Sequence, residues 1–172
     1  MTVTDANVDV RASPVQGLGV FARRCFEAGA MIRRVNIVRE ITVQSPLRPE
    51  LGELFEHCAY PEDRVVLYGF PDRHFNHSCD PNAYESYERD APLIRARRAI
   101  VSGEEITIDY NVNLAGGDSW PCRCGAARCR GETLGSYFRL PPEIQIEYLP
   151  LLADWFIARH RSRIAAIRRA GA

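Results

Sequence analysis

Cys122, Cys124 and Cys129 fall within eight positions, with a single residue between the first two. This is ligand-like spacing for a metal in an intracellular chain, not the framework of a disulfide-rich secreted domain. Structural zinc takes four tetrahedral ligands, so three thiolates leave one place to be filled. A second concentration of chemistry lies in Arg73-His-Phe-Asn-His-Ser-Cys-Asp-Pro-Asn82, which gathers a guanidinium, two imidazoles, two carboxamides and a thiol into ten residues. Tyr110 ends the run Gly103-Glu-Glu-Ile-Thr-Ile-Asp-Tyr110 and offers a phenol at the close of a strand-like segment. Gly17-Leu18-Gly19 opens Gly17-Leu-Gly-Val-Phe-Ala22, where the absence of side chains lets a ligand approach the backbone closely.

The three upstream blocks, in this order, resemble the SET-domain family, whose catalytic members methylate lysine side chains with S-adenosylmethionine. Cys122-Arg-Cys124 followed by Cys129 resembles that family's zinc-binding post-SET extension. The resemblance runs over roughly residues 10–135. It implies a mostly β fold of small, knotted sheets with a four-cysteine zinc loop and a C-terminal helical tail. The corresponding division is a SET domain at 8–115, a post-SET zinc-binding segment at 116–140 and a helical tail at 141–172.

Roles follow from the same resemblance. Asn76 is expected to hydrogen-bond the amino-acid end of S-adenosylmethionine, and His77 to lie near its adenine. Gly17, Leu18 and Gly19 would let the cofactor near the backbone, and Arg73 would help close the site. Cys79 is the implied fourth zinc ligand beside Cys122, Cys124 and Cys129. Tyr110 is the implied catalytic tyrosine, aligned beside the sulfonium methyl and the lysine nitrogen. A second tyrosine should line the lysine channel; Tyr68, in the apolar run Val65-Val66-Leu67-Tyr68, is favoured over Tyr60, although core packing suits either. Ile108 stands two before the catalytic tyrosine, where the family commonly has phenylalanine or tyrosine, and its smaller size implies products beyond monomethyl-lysine. Cys25 and Cys58 fall outside the pattern and read as buried, inert thiols.

Composition limits the alternatives. A chain of 172 residues with 46% hydrophobic residues suits one core. No apolar run approaches the roughly 20 residues of a membrane span, and Met1 to Arg11 has no signal-peptide character, so an intracellular location (cytoplasmic, nucleoid or nuclear) is expected. Net charge is zero but uneven: residues 150–172 carry +4 and residues 1–149 carry −4. An acidic body suits a basic protein partner with an accessible lysine and disfavours direct nucleic-acid binding. All 22 basic residues are arginine, as codon bias in a GC-rich genome would give, and no side chain here can be an automethylation target. Two rivals to the enzyme are a non-catalytic SET-like peptide-binding module and a zinc-stapled nucleic-acid-associated protein.

These groups need elements to hold them. Strand patterns run from Val8 to Ile41, over Val65–Tyr68, over Ala91–Ala99 and over Glu105–Tyr110, with turns at Gly17–Gly19, Glu27–Gly29 and Ser102-Gly103. Pro49–His57 reads as a short helix, and Glu143–Leu149 as another. Pro150 can open a longer helix bearing Leu152, Trp155, Phe156, Arg159, Arg163, Ile164 and Ile167 as a mixed stripe. That stripe suits packing on the domain's own surface, a homodimer contact or a basic arm.

Overall fold

The structure, a computed structural model, describes residues 6–89 and 91–171, with all their side chains except that of Asp63. Its strands are β1 (Val8–Ala12), β2 (Leu18–Ala22), β3 (Met31–Arg34), β4 (Ile37–Ile41), β5 (Cys58–Ala59), β6 (Val65–Tyr68), β7 (Asn76–His77), β8 (Ala83–Glu88), β9 (Ala91–Ala96), β10 (Glu105–Ile108), β11 (Trp120–Pro121) and β12 (Glu132–Thr133). Three helices follow: α1 (Pro142–Tyr148), α2 (Asp154–Arg159) and α3 (Arg161–Ala170).

The sheets are small, in the orders β1-β2-β10-β7, β3-β9-β8, β4-β6-β5 and β11-β12. β1 and β2 form an antiparallel hairpin with Val10 opposite Val20; its turn includes Gly17, whose φ of 51° lies in the left-handed region that glycine tolerates. β2 also pairs with β10, so the glycine turn lies at the end of the strand beside the one that leads to Tyr110. On its other side β10 takes the two-residue β7 in parallel, with Thr107 opposite Asn76 and Ile108 opposite His77.

Asn82 holds the chain beyond β7 in place. Its side-chain amide donates to the Glu105 carbonyl at 2.7 Å and its oxygen accepts from the Thr107 N–H at 2.9 Å. The carboxamide therefore replaces one strand residue, satisfying backbone groups of β10 that would otherwise be buried without partners. Asn82 is itself buried, as this role requires.

Two apolar clusters form the core. The first joins Val20, Phe26, Ile32, Val66, Tyr68, Phe75, Ile94 and Ile106 from three of the sheets and their connections. The second joins Tyr137, Leu140, Ile144, Tyr148, Leu152, Phe156 and Ile164, so the tail packs on itself and on the segment before it. Arg163 extends this cluster by placing its guanidinium 3.5 Å from the centre of the Phe138 ring. Among the described residues, no helix is long and apolar enough to cross a membrane.

Several expected elements take a different form. Pro49–Leu51 and Phe55–His57 are separate 3₁₀ turns instead of one helix, with Gly52 in the left-handed region between them. Pro150 sits in a 3₁₀ turn, Leu149–Leu151; helix restarts only at Asp154 and changes direction at His160, whose φ and ψ of −108° and 29° are non-helical. Cys25 is exposed and Cys58 is half-buried, contrary to the expectation that both are buried. Chain alternation explains Cys25: its neighbour Phe26 takes the core position and forms the bridge to Ile100, so Cys25 points away.

Candidate active site and cysteine centre

Parallel pairing of β7 with β10 brings Asn76, His77 and Tyr110 together across 34 residues of sequence. Asn76 donates its amide hydrogens to the carbonyls of Gln16 (3.2 Å) and Leu18 (3.0 Å) and to the Glu105 carboxylate (2.8 Å). The same carboxylate accepts from the Ser13 hydroxyl at 2.8 Å. A side chain at Gly19 would begin 2.2 Å from this carboxylate, so the close approach that requires glycine there is made by Glu105. Gly17 has no atom within 4 Å of where a side chain would start, and Leu18 and Tyr110 keep 47% and 37% of their surface exposed. Leu18 and Tyr110 are thus exposed on either side of Asn76, which holds the Leu18 carbonyl.

Tyr110 is fixed at both ends. Its N–H donates to His77 Nδ1 at 3.2 Å and its hydroxyl donates to the Phe75 carbonyl at 2.7 Å. Burial of the phenol, with the Glu105 carboxylate adding to it, pushes its pKa up to about 12, so the hydroxyl stays protonated at neutral pH. With its hydrogen committed to Phe75, the oxygen keeps its lone pairs for accepting.

His77 is buried, and burial brings its pKa down to about 4 against the opposing pull of Asp109. The neutral ring accepts from the Tyr110 N–H through Nδ1, which places its hydrogen on Nε2, 3.4 Å from Cys79 Sγ. One imidazole thus contacts both the tyrosine backbone and the cysteine cluster.

The four sulfurs of Cys79, Cys122, Cys124 and Cys129 all lie within 4.8 Å of one another. Backbone N–H groups point at the sulfurs: Arg130 to Cys79 at 3.4 Å, Cys79 to Cys124 at 3.5 Å and Gly131 to Cys129 at 3.4 Å. Burial raises the Cys79 and Cys122 thiols; at Cys124 burial is overcome by the N–H groups of Cys79 and Ala126 together with the Cys122 and Cys129 side chains, which bring it down to about 7. Four convergent sulfurs ringed by donors to thiolate suit tetrahedral zinc.

The remaining expected residues are spread more widely. Tyr68 is buried and its hydroxyl donates to Glu85 at 2.7 Å; Tyr60 lies 6.1 Å from the Phe55 ring, centre to centre. Arg73 is exposed on the turn Asp72–His74, and its Nε contacts the His74 ring at 3.3 Å. Sequence reading passed over Glu105, Asp109 and Arg130. The first two sit inside the block ending at Tyr110 and the third follows Cys129, but their partners are distant in the chain, and spacing alone does not show such pairs.

A family model described as SET domain matches residues 17–111, more than half of the chain. The chain is 36% identical over 138 residues to the histone-lysine N-methyltransferase trr of Drosophila melanogaster, covering 72% of this chain and 6% of that protein. It is 48% identical over 138 residues to an H3 lysine-36 specific histone-lysine N-methyltransferase of Debaryomyces hansenii, covering 72% and 19% respectively. It is 29% identical over 135 residues to human histone-lysine N-methyltransferase 2B, covering 72% and 5%. The aligned part is therefore at most about a fifth of the length of these relatives.

Proposed function

Because the chain belongs to the SET-domain family, we propose that it is a protein-lysine methyltransferase that uses S-adenosylmethionine. The observation that supports this best is the convergence of Asn76, His77 and a Tyr110 fixed at both ends where β7 runs beside β10. S-adenosylmethionine, when bound, supplies an electrophilic sulfonium methyl. Gly17, Leu18, Gly19, Asn76 and His77 are the residues that would hold it, with Arg73 at the rim.

A free lysine has a pKa of about 10.4 and is mostly protonated at neutral pH. An apolar channel favours the neutral amine by desolvation, and a fixed acceptor aligns it. Tyr110 suits that second task, since its oxygen is held still and its hydrogen is already engaged. Tyr68 is the tyrosine we assign to the channel from the first half of the domain. Zinc on Cys79, Cys122, Cys124 and Cys129 would fasten the segment after Tyr110 to the β7 loop, a structural role. The −4 charge of residues 1–149 and the names of the relatives favour a basic protein substrate such as a histone.

The test is incubation of the zinc-loaded protein with methyl-labelled S-adenosylmethionine and a panel of basic proteins that includes core histones, followed by mass-spectrometric site mapping. Label on lysine side chains is the expected result. Cofactor binding by calorimetry without any transfer would favour the peptide-binding rival, and no cofactor binding would remove the enzyme reading.

A further inference from the structure

The last turn of α1 meets both halves of the cysteine centre. Cys79 comes from the loop after β7, while Cys122, Cys124 and Cys129 come from a much later segment. Glu147 links the two. Arg128, the residue before Cys129, donates to both of its oxygens, at 3.2 and 2.6 Å. Arg97, which follows β9, donates to the same carboxylate from Nη2. The other terminal nitrogen of Arg97 donates to the Pro81 carbonyl at 3.2 Å and lies 3.5 Å from the carboxylate of Asp80, the residue after Cys79. Arg128 lies 4.0 Å from that same Asp80 oxygen. Two cations and two carboxylates thus alternate across the loops that carry the sulfurs, and one member of the four belongs to the tail.

Tyr148 seats this group. It is buried, its hydroxyl donates to the Cys79 carbonyl at 3.4 Å, and the Arg97 guanidinium lies over its ring at 5.4 Å. Cys79 contacts the His77 ring, which accepts from the Tyr110 N–H, so contacts run unbroken from the tail to the tyrosine. Single exposed ion pairs contribute little, but a bidentate pair within a network is the case in which they do hold a structure. The cysteine segment has need of such support, because β11 and β12 pair over only two residues each.

We propose that Glu147 is a positioning residue for the cysteine centre, fastening its two halves together from the tail so that the metal is not the only clasp. This rests on the reading of the four cysteines as the zinc centre of a methyltransferase. For zinc to leave, one sulfur-bearing loop must swing away from the other, and the Arg128–Glu147 pair resists that movement beside Cys129. Charge alone acts in the opposite sense. Four thiolates around one zinc ion carry net negative charge, which a neighbouring carboxylate repels, so loss of Glu147 would steady the centre if its charge were all that mattered. The two effects therefore differ in sign.

The test follows zinc release from the full chain to an excess of chelator in the unmutated protein, Glu147→Ala, Arg128→Ala and the double variant. Alanine keeps the helix propensity of α1, and both side chains reach solvent, so the variants should fold. Each single variant should release zinc at least about 3-fold faster, and the double variant should match Glu147→Ala, because each substitution breaks the same link. Raised salt should speed release from the unmutated chain and change Glu147→Ala less. Hydrogen exchange in Glu147→Ala should quicken around residues 79–82 and 122–134 more than within α1. Slower release in Glu147→Ala, effects of the two substitutions that multiply in full, or quickened exchange confined to α1 would each overturn the proposal. If Glu147→Ala does not fold, Glu147→Gln serves, with the same sign expected. Faster release in a protein that transfers no label to any substrate would leave Glu147 standing and defeat the enzyme reading. A protein that takes up no zinc would defeat the metal reading, and the exchange pattern alone would then decide for or against Glu147.

Discussion

Arg130 Nη2 donates to Asp109 Oδ2 at 2.8 Å, joining the residue after Cys129 to the residue before Tyr110. Asp109 is buried, and its other oxygen accepts from the Asn111 backbone and side chain at 3.0 and 2.6 Å. Arg130 also reaches the Cys79 carbonyl at 3.4 Å. The cysteine segment and the tyrosine are thus coupled by an ion pair as well as by His77. Arg130→Met would leave Asp109 charged, buried and without its cation, and should cost about 3 kcal/mol or more in a denaturant melt. Hydrogen exchange should show the loss concentrated around residues 109–111 and 122–134; a uniform change would mean that the pair does not couple the two segments.

The cysteine cluster should hold one zinc per chain. β11 and β12 offer only two paired residues each, so the segment between Tyr110 and the tail has little sheet to hold it. The main cluster around Val20, Ile94 and Ile106 lies elsewhere. Chelation should therefore loosen the cysteine segment more than it unfolds the domain, visible as new protease cuts between residues 116 and 135 with most β structure retained. Elemental analysis finding zinc kept by the double mutant Cys124→Ser, Cys129→Ser would dismiss these ligands.

How far the sequence reached is clear from particular residues. Asn76, His77, Tyr110 and the cysteines were legible because each belongs to a contiguous block whose residue types already suggest chemistry. The β7–β10 pairing came only with the resemblance, since two residues are too few for periodicity to register. Asp109 and Arg130 could not be read at all, because an acid's role depends on whether a cation lies opposite, and that is decided by packing. The tail was legible as a short helix followed by a longer one, but the break that divides the longer one in two was not. Phe156 and Ile164 both enter the same cluster, and the break at His160 lets them do so, a constraint set by the surface they cover.

His77 gives the site a definite acid sensitivity. Its pKa is about 4 in the folded protein, against about 6.5 for a free histidine, because burial disfavours the charged ring. Folding then opposes protonation. The stabilising contribution is complete above about pH 6.5 and is lost progressively as pH falls towards 4, a loss of about 3 kcal/mol. Protonation also removes the acceptor for the Tyr110 N–H. Thermal melts between pH 7 and 4 should show this slope, and His77→Gln should flatten it.

Tyr110→Phe should separate chemistry from folding. The change deletes one hydroxyl, whose hydrogen bond to the Phe75 carbonyl contributes about 1 kcal/mol, and alters little volume. Fold and most cofactor affinity should survive, while methyl transfer on a mapped substrate drops at least about 100-fold, the lower end for a fixed electrostatic group. Near-normal turnover would show that another residue aligns the amine.

Ile108 should set how many methyl groups are added. It is half-buried against the main cluster at the end of β10, two residues before Tyr110 and opposite His77 in the β7 register. A tyrosine hydroxyl at this position could retain a water beside the amine and restrict rotation of a methylated nitrogen, favouring a single addition. Ile108 has no hydroxyl and less bulk, so the pocket should admit amines that already carry methyl groups. Tyr84 and Tyr87 on β8 are the side chains that could fill the same space; Tyr87 is engaged with Glu85 and stands against Trp155. A saturating reaction should therefore reach di- or trimethyl-lysine, and Ile108→Tyr should shift the mass spectrum towards monomethyl-lysine without loss of cofactor binding. Spectra that stop at one methyl in the unmutated protein would show that Ile108 does not open the pocket.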